Sequence, residues 1–319
     1  MRRKMLFLML LGMWVYLAGA SAYALESQQS TQWEYLLEEP SWGMIEWSSA
    51  TLPKGFWYPT FEFLYLANGS YFEQGREVDY EGGRDSTSYM INGSLLYGLT
   101  NDLMVGVHIP VVVGQKVDSG LYEEPVKVKS GVSNFGDIDL FLKYHLVDRY
   151  YWSLATQLGT TLPTGRPYNK AGAGKAGTGD GQVDLNFSLK GDILLNEQAF
   201  VTVDTRLAYQ ARREFNNAEG KSVAEKLGNV LSTEAGVVRN FKNVGLGGFL
   251  RYIYWGATER TGQPQLDPAD LFEMSLHLVL GEITPHRHGK LDFWLDFPLN
   301  GKNAPATYRF GASIKSIFQ

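Results

Sequence analysis

From about residue 55 onward, apolar and polar side chains alternate along the chain with the two-residue period of a β-strand. Tyr89, Ile91, Gly93, Leu95 and Tyr97 interleave with Ser88, Met90, Asn92 and Ser94. Leu103, Val105, Val107, Ile109, Val111 and Val113 follow, with Gly106 and His108 between them. Later segments set Val183, Leu185, Phe187 and Leu189 against Asp184, Asn186, Ser188 and Lys190, and Leu291, Phe293, Leu295 and Phe297 against Asp292 and Asp296. Twelve such segments are predicted, near 55–67, 86–98, 102–114, 134–146, 150–162, 181–194, 199–211, 229–241, 244–256, 270–283, 289–299 and 305–318. Each is long enough to cross a bilayer's apolar core at a tilt, for which roughly 9–11 residues suffice.

A soluble sandwich also alternates, with its apolar face turned to a core. Here the polar face carries full charges of both signs in mid-strand, which suits a wet interior with lipid outside. Aromatic residues cluster near segment ends (Phe56, Trp57, Tyr58; Tyr150, Tyr151, Trp152; Tyr252, Tyr254, Trp255), where interfacial girdles form. The connections sort as well. Long links near 68–85, 115–133, 163–180, 212–228 and 257–269 strictly alternate with short ones at 99–101, 147–149, 195–198, 242–243 and 283–288. Short periplasmic turns and long outer loops are the habit of outer-membrane barrels. The predicted fold is therefore all-β: a transmembrane, antiparallel, up-and-down β-barrel of about twelve strands over residues 55–319.

The start of the chain agrees with export. Arg2, Arg3 and Lys4 precede an apolar run to about Ala18, and Ala22, Tyr23 and Ala24 offer small residues at a cleavage site. Residues 1–24 thus read as a signal peptide. Residues 25–54 read as a periplasmic lead-in or a lumen plug, since Trp33, Trp42 and Trp47 need somewhere to bury. Losing the three leading basic residues from the 29 basic and 34 acidic ones moves the net charge from −5 to −8. That acidic balance argues against a nucleic-acid partner. There is no cysteine, so disulfides do not hold the exported chain.

Short motifs then become familiar. Tyr97 to Leu103 (YGLTNDL) with Gly106 to Pro110 (GVHIP), Gly136 to Leu140 (GDIDL) with Lys143 and Tyr144, Leu162 to Gly165 (LPTG), and Gly177 to Gly179 (GTG) resemble the "phenol degradation meta-pathway" family of outer-membrane channels. The resemblance covers most of residues 52–318. It implies passage of hydrophobic or aromatic compounds across the outer membrane. The final strand, with Tyr308, Phe310, Ala312, Ile314 and Phe318, resembles the signal read by the barrel-assembly machinery, although Gln319 follows Phe318. Outer-membrane lipid, including lipopolysaccharide, is the other expected partner.

Other motifs carry less. Residues 172–177 fit G-x-G-x-x-G, but in a glycine-rich link with no strand-to-helix context for a pyrophosphate. His286 and His288 lack further ligands for a metal. Ser275, His277 and Glu273 share one polar face, yet their spacing on one strand does not by itself make a nucleophile, base and orienter. No catalytic residue, metal or cofactor is expected. The candidate functional residues are the inward charges and histidines: Glu62, His108, Asp137, Asp139, Lys143, His145, Asp184, Lys190, Asp192, Asp204, Arg206, Arg251, Glu273, His277, Asp292, Asp296, Arg309 and Lys315. Lining a pore, they would set its selectivity. Three readings stay open: a passive channel for small solutes, hydrophobic or aromatic ones among them; a structural or interaction barrel with a filled lumen; and an outer-membrane enzyme that modifies lipid or protein.

Overall fold

A computed structural model of the chain describes residues 48–79, 86–117, 134–165, 178–179, 181–196, 198–216, 222–241, 243–260, 267–281 and 289–318. Twelve long strands carry the fold: β1 (Trp57–Glu73), β2 (Ser86–Gly98), β3 (Leu103–Val117), β4 (Ile138–Arg149), β5 (Trp152–Leu162), β6 (Asp184–Asn196), β7 (Ala199–Gln210), β8 (Val230–Phe241), β9 (Val244–Trp255), β10 (Ala269–Leu280), β11 (Gly289–Lys302) and β12 (Ala304–Ser316). Each pairs antiparallel with the next, and β1 pairs with β12 from Thr60↔Lys315 through Asn68↔Thr307. The sheet is thereby closed, and among the described residues each long strand has a paired neighbour on both sides.

The alternation sorts side chains inside out relative to a soluble protein. Phe61 (68% exposed), Leu158, Leu185 and Ile314 stand on the outer wall, whereas Lys143 and Asp292 are fully buried inside. An aqueous exterior would reverse that order. A lipid exterior requires it, and the barrel is a transmembrane one.

Glycines on the inner face let large rings lie flat across the neighbouring strand. At Gly311 of β12 a Cβ would fall 1.9 Å from the Trp294 ring of β11. The lumen is thus filled partly by rings wherever the adjoining residue has no side chain.

Four expectations are corrected. β1 runs past residue 67 to Glu73 and turns through Gln74 (φ 50°) and Gly75 (φ 87°) into a short strand, Arg76–Asp79. Two successive positive φ values make the tight turn whose twist matches a hairpin. The polar run Glu73-Gln74-Gly75-Arg76 had read as loop because only the glycine signals that turn. Second, the segment predicted at 134–146 is broken. Asn134–Phe135 pairs with β3, Gly136 and Asp137 step out of the sheet, and β4 begins at Ile138. Third, the sorting of links fails once. The sixth outer connection is a tight turn at Asn303 (φ 53°) between Lys302 and Ala304. Fourth, parts of the links near 212–228 and 257–269 are strand: Arg212–Asn216, Ser222–Lys226 and Glu259–Arg260 form a separate three-stranded sheet, pinned by the Arg213–Glu225 ion pair.

Candidate functional site: the barrel lumen

The charged candidates are not spread evenly around the barrel, and Asp137 lies outside the strands. β8 to β12 build a charged wall. Glu234 and Arg251 face each other across β8 and β9, and Arg251 Nε donates to Glu234 Oε2 at 2.6 Å. Arg251 also lies 3.5 Å from Glu273 on β10. Arg309 of β12 reaches over β11 to Glu273 at 2.5 Å and contacts Asp296 at 2.9 Å. Lower down, Lys315 donates to Asp292 at 3.1 Å. On the other side Lys190 of β6 pairs with Asp204 of β7 at 2.5 Å. Glu273 and Asp296 are buried while the side chains of Arg251 and Arg309 stay about a quarter exposed. The cations therefore form the part of this wall that water reaches. Such pairing satisfies charges that a narrow lumen desolvates; it is weak evidence for added stability.

Within this wall Ser275 Oγ lies 2.9 Å from His277 Nε2, and His277 Nδ1 lies 3.3 Å from Asp292 Oδ1. Strand register supplies the acid that spacing along β10 does not: Val279 pairs with Asp292, which brings the Asp292 carboxylate within reach of His277. A Ser–His–Asp chain exists, but it lacks the rest of an acyl-transfer site. Ser275 donates its proton to Asp296 at 2.5 Å, so its oxygen is the acceptor toward His277. Ser275 and His277 are buried, and Ser275 is an interior position of a fully paired sheet, whose amides are spent on the ladder rather than on an oxyanion.

The inner end, where the short turns lie, is occupied by the chain's own approach to β1. Residues 48–52 are buried. Ser49 donates to Asp192 Oδ2 from both its amide (2.7 Å) and its hydroxyl (2.6 Å), and its Oγ is 2.5 Å from Ser153 Oγ. Thr51 donates to the Asn101 carbonyl at 2.8 Å, and the Lys54 amide to Asn101 Oδ1 at 3.1 Å. Ala50 and Leu52 pack with Tyr58, Leu96, Met104 and Ile317. The chain passes so close to Gly98 that a Cβ there would meet the Pro53 carbonyl at 2.0 Å. The segment thus crosses the mouth from the β5–β6 side back to β1. Lys143 and His145 are buried on the inner face near this end.

The remaining candidates make local contacts. Asn92 donates to Glu62 at 3.1 Å, Ser94 and His108 are 2.9 Å apart, and Thr161 donates to Asp139 at 2.5 Å. Gln182 donates to Asp184 at 3.1 Å, while Arg206 is exposed to the lumen. Asp137 does something different. Its Oδ1 accepts the Gly165 amide at 2.8 Å, and a Cβ on Gly179 would lie 2.2 Å from it. Only glycines let two parts of the outer link close around that carboxylate.

Glu234, Lys290 and Ser153 also line the interior and were not among the sequence candidates. Glu234 sits among Ser232, Thr233, Ala235 and Gly236, where neither face is apolar enough to declare a side. His286, His288, residues 172–177 and residues 25–47 lie outside the described residues.

No family model matches the chain, and no curated protein matches it. Solved structures do. The crystal structure of the COG4313 outer membrane channel from Pseudomonas putida F1 aligns with a TM-score of 0.70 at 16% identity, covering 85% of this chain and 98% of that one. The KdgM porin (TM-score 0.46, 8% identity, 82% and 99% covered) and the TodX deltaS2S3 mutant monoaromatic hydrocarbon channel (0.43, 10%, 86% and 93%) score too low to carry an argument. The chain shares the fold of the Pseudomonas putida outer membrane channel.

Proposed function

We propose that this chain is a passive outer-membrane channel for small solutes, hydrophobic or aromatic ones among them, whose inner mouth is narrowed by residues 48–54. The observation that carries the reading is the closed barrel with an apolar outer wall and a polar, charged inner one, a shape that offers a path through a membrane. The likeness in fold to an outer membrane channel supports it. Kinship with the phenol degradation meta-pathway family, cleavage of residues 1–24, contact with lipopolysaccharide and recognition of β12 by the assembly machinery belong to the same reading. So does the division of the mature chain into an N-terminal lead-in or plug and the barrel proper. Enzymatic activity is not part of it.

Single-channel recording and liposome swelling with the purified protein test the proposal. Discrete ion-conducting events and entry of small solutes are the expected result; electrical silence together with impermeant liposomes overturns it. A second reading, a filled barrel serving structure or interaction, draws support from the charge network and the seated segment. It gains if deleting residues 48–54 leaves the barrel silent.

A further inference from the structure

Toward the outer rim the inner wall changes character. Leu64 and Leu66 of β1, Met90 of β2 and Val112 of β3 point inward, where the opposite strands carry ions. Their registers make them neighbours: Leu64 pairs with Met90, Met90 with Val112, and Leu66 with Ser88. A cavity of about 320 Å³ lies over Leu66, Met90 and Val112 and is edged by Asn68, Ser88 and Thr178. None of the residues lining it is charged.

We propose that this recess is a binding site for a small uncharged amphiphile, its volume standing at the lower end of the roughly 300–1,000 Å³ of small-molecule sites. Its apolar face sits on Leu66, Met90 and Val112. Its hydroxyl or carbonyl group turns to the amide and hydroxyls at the edge. Arg309, the cross-strand neighbour of Leu66, is turned to Glu273 and Asp296, so a carboxylate or ammonium ion entering here leaves water without an uncommitted countercharge among the lining residues, which is costly. A pure hydrocarbon covers the polar edge without hydrogen-bonding to it, and such mismatches weigh more in selectivity than a missing methylene does.

The edge at Thr178 is held in place by contacts with the segment ahead of β4. Thr178 donates its hydroxyl to the Phe135 carbonyl at 2.7 Å. Next to it, Gly179 closes on the Asp137 carboxylate, which Gly165 also grips. Gly136 donates its amide to the Pro110 carbonyl at 2.7 Å, and a Cβ there would be 3.1 Å from the Thr178 carbonyl. Asp137 is thus a positioning residue, acting through Thr178 without touching the solute. The site deepens the channel reading by naming the class of solute its outer half selects, and it rests on that reading for access from outside.

The test uses the purified protein in lipid nanodiscs, with ¹³C-methyl-labelled methionine and the Met90 resonance assigned by Met90→Leu. Cyclohexylmethanol, cyclohexanecarboxylate and methylcyclohexane are titrated in turn. The expected result is a saturable shift of the Met90 methyl by the alcohol, with binding at least about tenfold weaker for the carboxylate and for the hydrocarbon. Val112→Asp removes the response. Asp137→Asn, which leaves the apolar floor intact, weakens alcohol binding several-fold. An unmoved Met90 in a protein that conducts ions overturns the site and leaves the channel standing. Equal binding of the carboxylate overturns the exclusion of charge, and equal binding of methylcyclohexane overturns the role of the polar edge. Absent conduction with an intact Met90 response overturns the channel instead.

Discussion

Asp192 is the place where the segment ahead of β1 can be loosened without touching its apolar anchor. Asp192→Ala removes the acceptor of the Ser49 amide and of the Ser49 hydroxyl, at 2.7 and 2.6 Å. A hydrogen bond to a charged group contributes about 1.5–3 kcal/mol. Both bonds here end on one oxygen, so they do not add in full, and ~2–4 kcal/mol is the expected loss for the pair. At 1.4 kcal/mol per factor of ten, the ratio of seated to displaced segment falls by ~30- to ~700-fold. Leu52 remains buried among Tyr58, Leu96 and Met104, so only the stretch beyond it lifts from the mouth. Single-channel recording reads this directly as a shift of dwell times toward higher conductance. Heat-modifiable migration on gels, unchanged from the parent, checks that the barrel has folded. A dwell-time ratio within about threefold of the parent protein, under about 0.7 kcal/mol, refutes the reasoning. It would mean that Ser49 is held by its neighbours and that Asp192 is incidental.

Lys190→Met leaves Asp204 on the inner wall without its partner and is expected to cost about 1–3 kcal/mol, less than a fully buried pair because Asp204 is about one-fifth exposed. Urea titration measures it, and adding Asp204→Leu should recover most of the loss. On the outer wall, Phe61→Arg places a cation against lipid and should destabilise the barrel by about 2–4 kcal/mol if Phe61 lies near the bilayer midplane. Refolding into vesicles gives the value, and a cost below about 1 kcal/mol would move Phe61 to the interface. Ser275, whose proton goes to Asp296, should stay unlabelled by a fluorophosphonate under conditions that label a serine hydrolase to completion. Covalent labelling there would revive the enzymatic reading.

The faces of the strands were legible in the sequence wherever one face is plainly apolar, as in Leu291 to Phe297, because a strand offers its side chains only two directions. The candidate charges were assigned inward by that rule alone. Their partners were not legible. Asp292 meets His277 only through the register of β10 on β11, and Arg309 meets Glu273 across an intervening strand; both depend on shear around the whole barrel. Asp137 was chosen as a lumen charge, yet its oxygens are engaged by Gly165 and Gly179, a contact between segments far apart in sequence. The turn at Gln74 escaped because glutamine seldom takes a left-handed conformation. Ser49 escaped because a small polar residue ahead of the first strand carries no periodicity at all.

The pairing of β1 with β12 has a consequence for durability on the cell surface. Every long strand is stitched on both flanks, so a protease that cuts one outer connection separates the chain covalently and changes little else. Each fragment remains sewn to the other along two ladders, that of the cut pair and that of β1 with β12. Such a nicked molecule should migrate as one species until it is boiled, and its interior should keep its shape while the ends at the cut move freely.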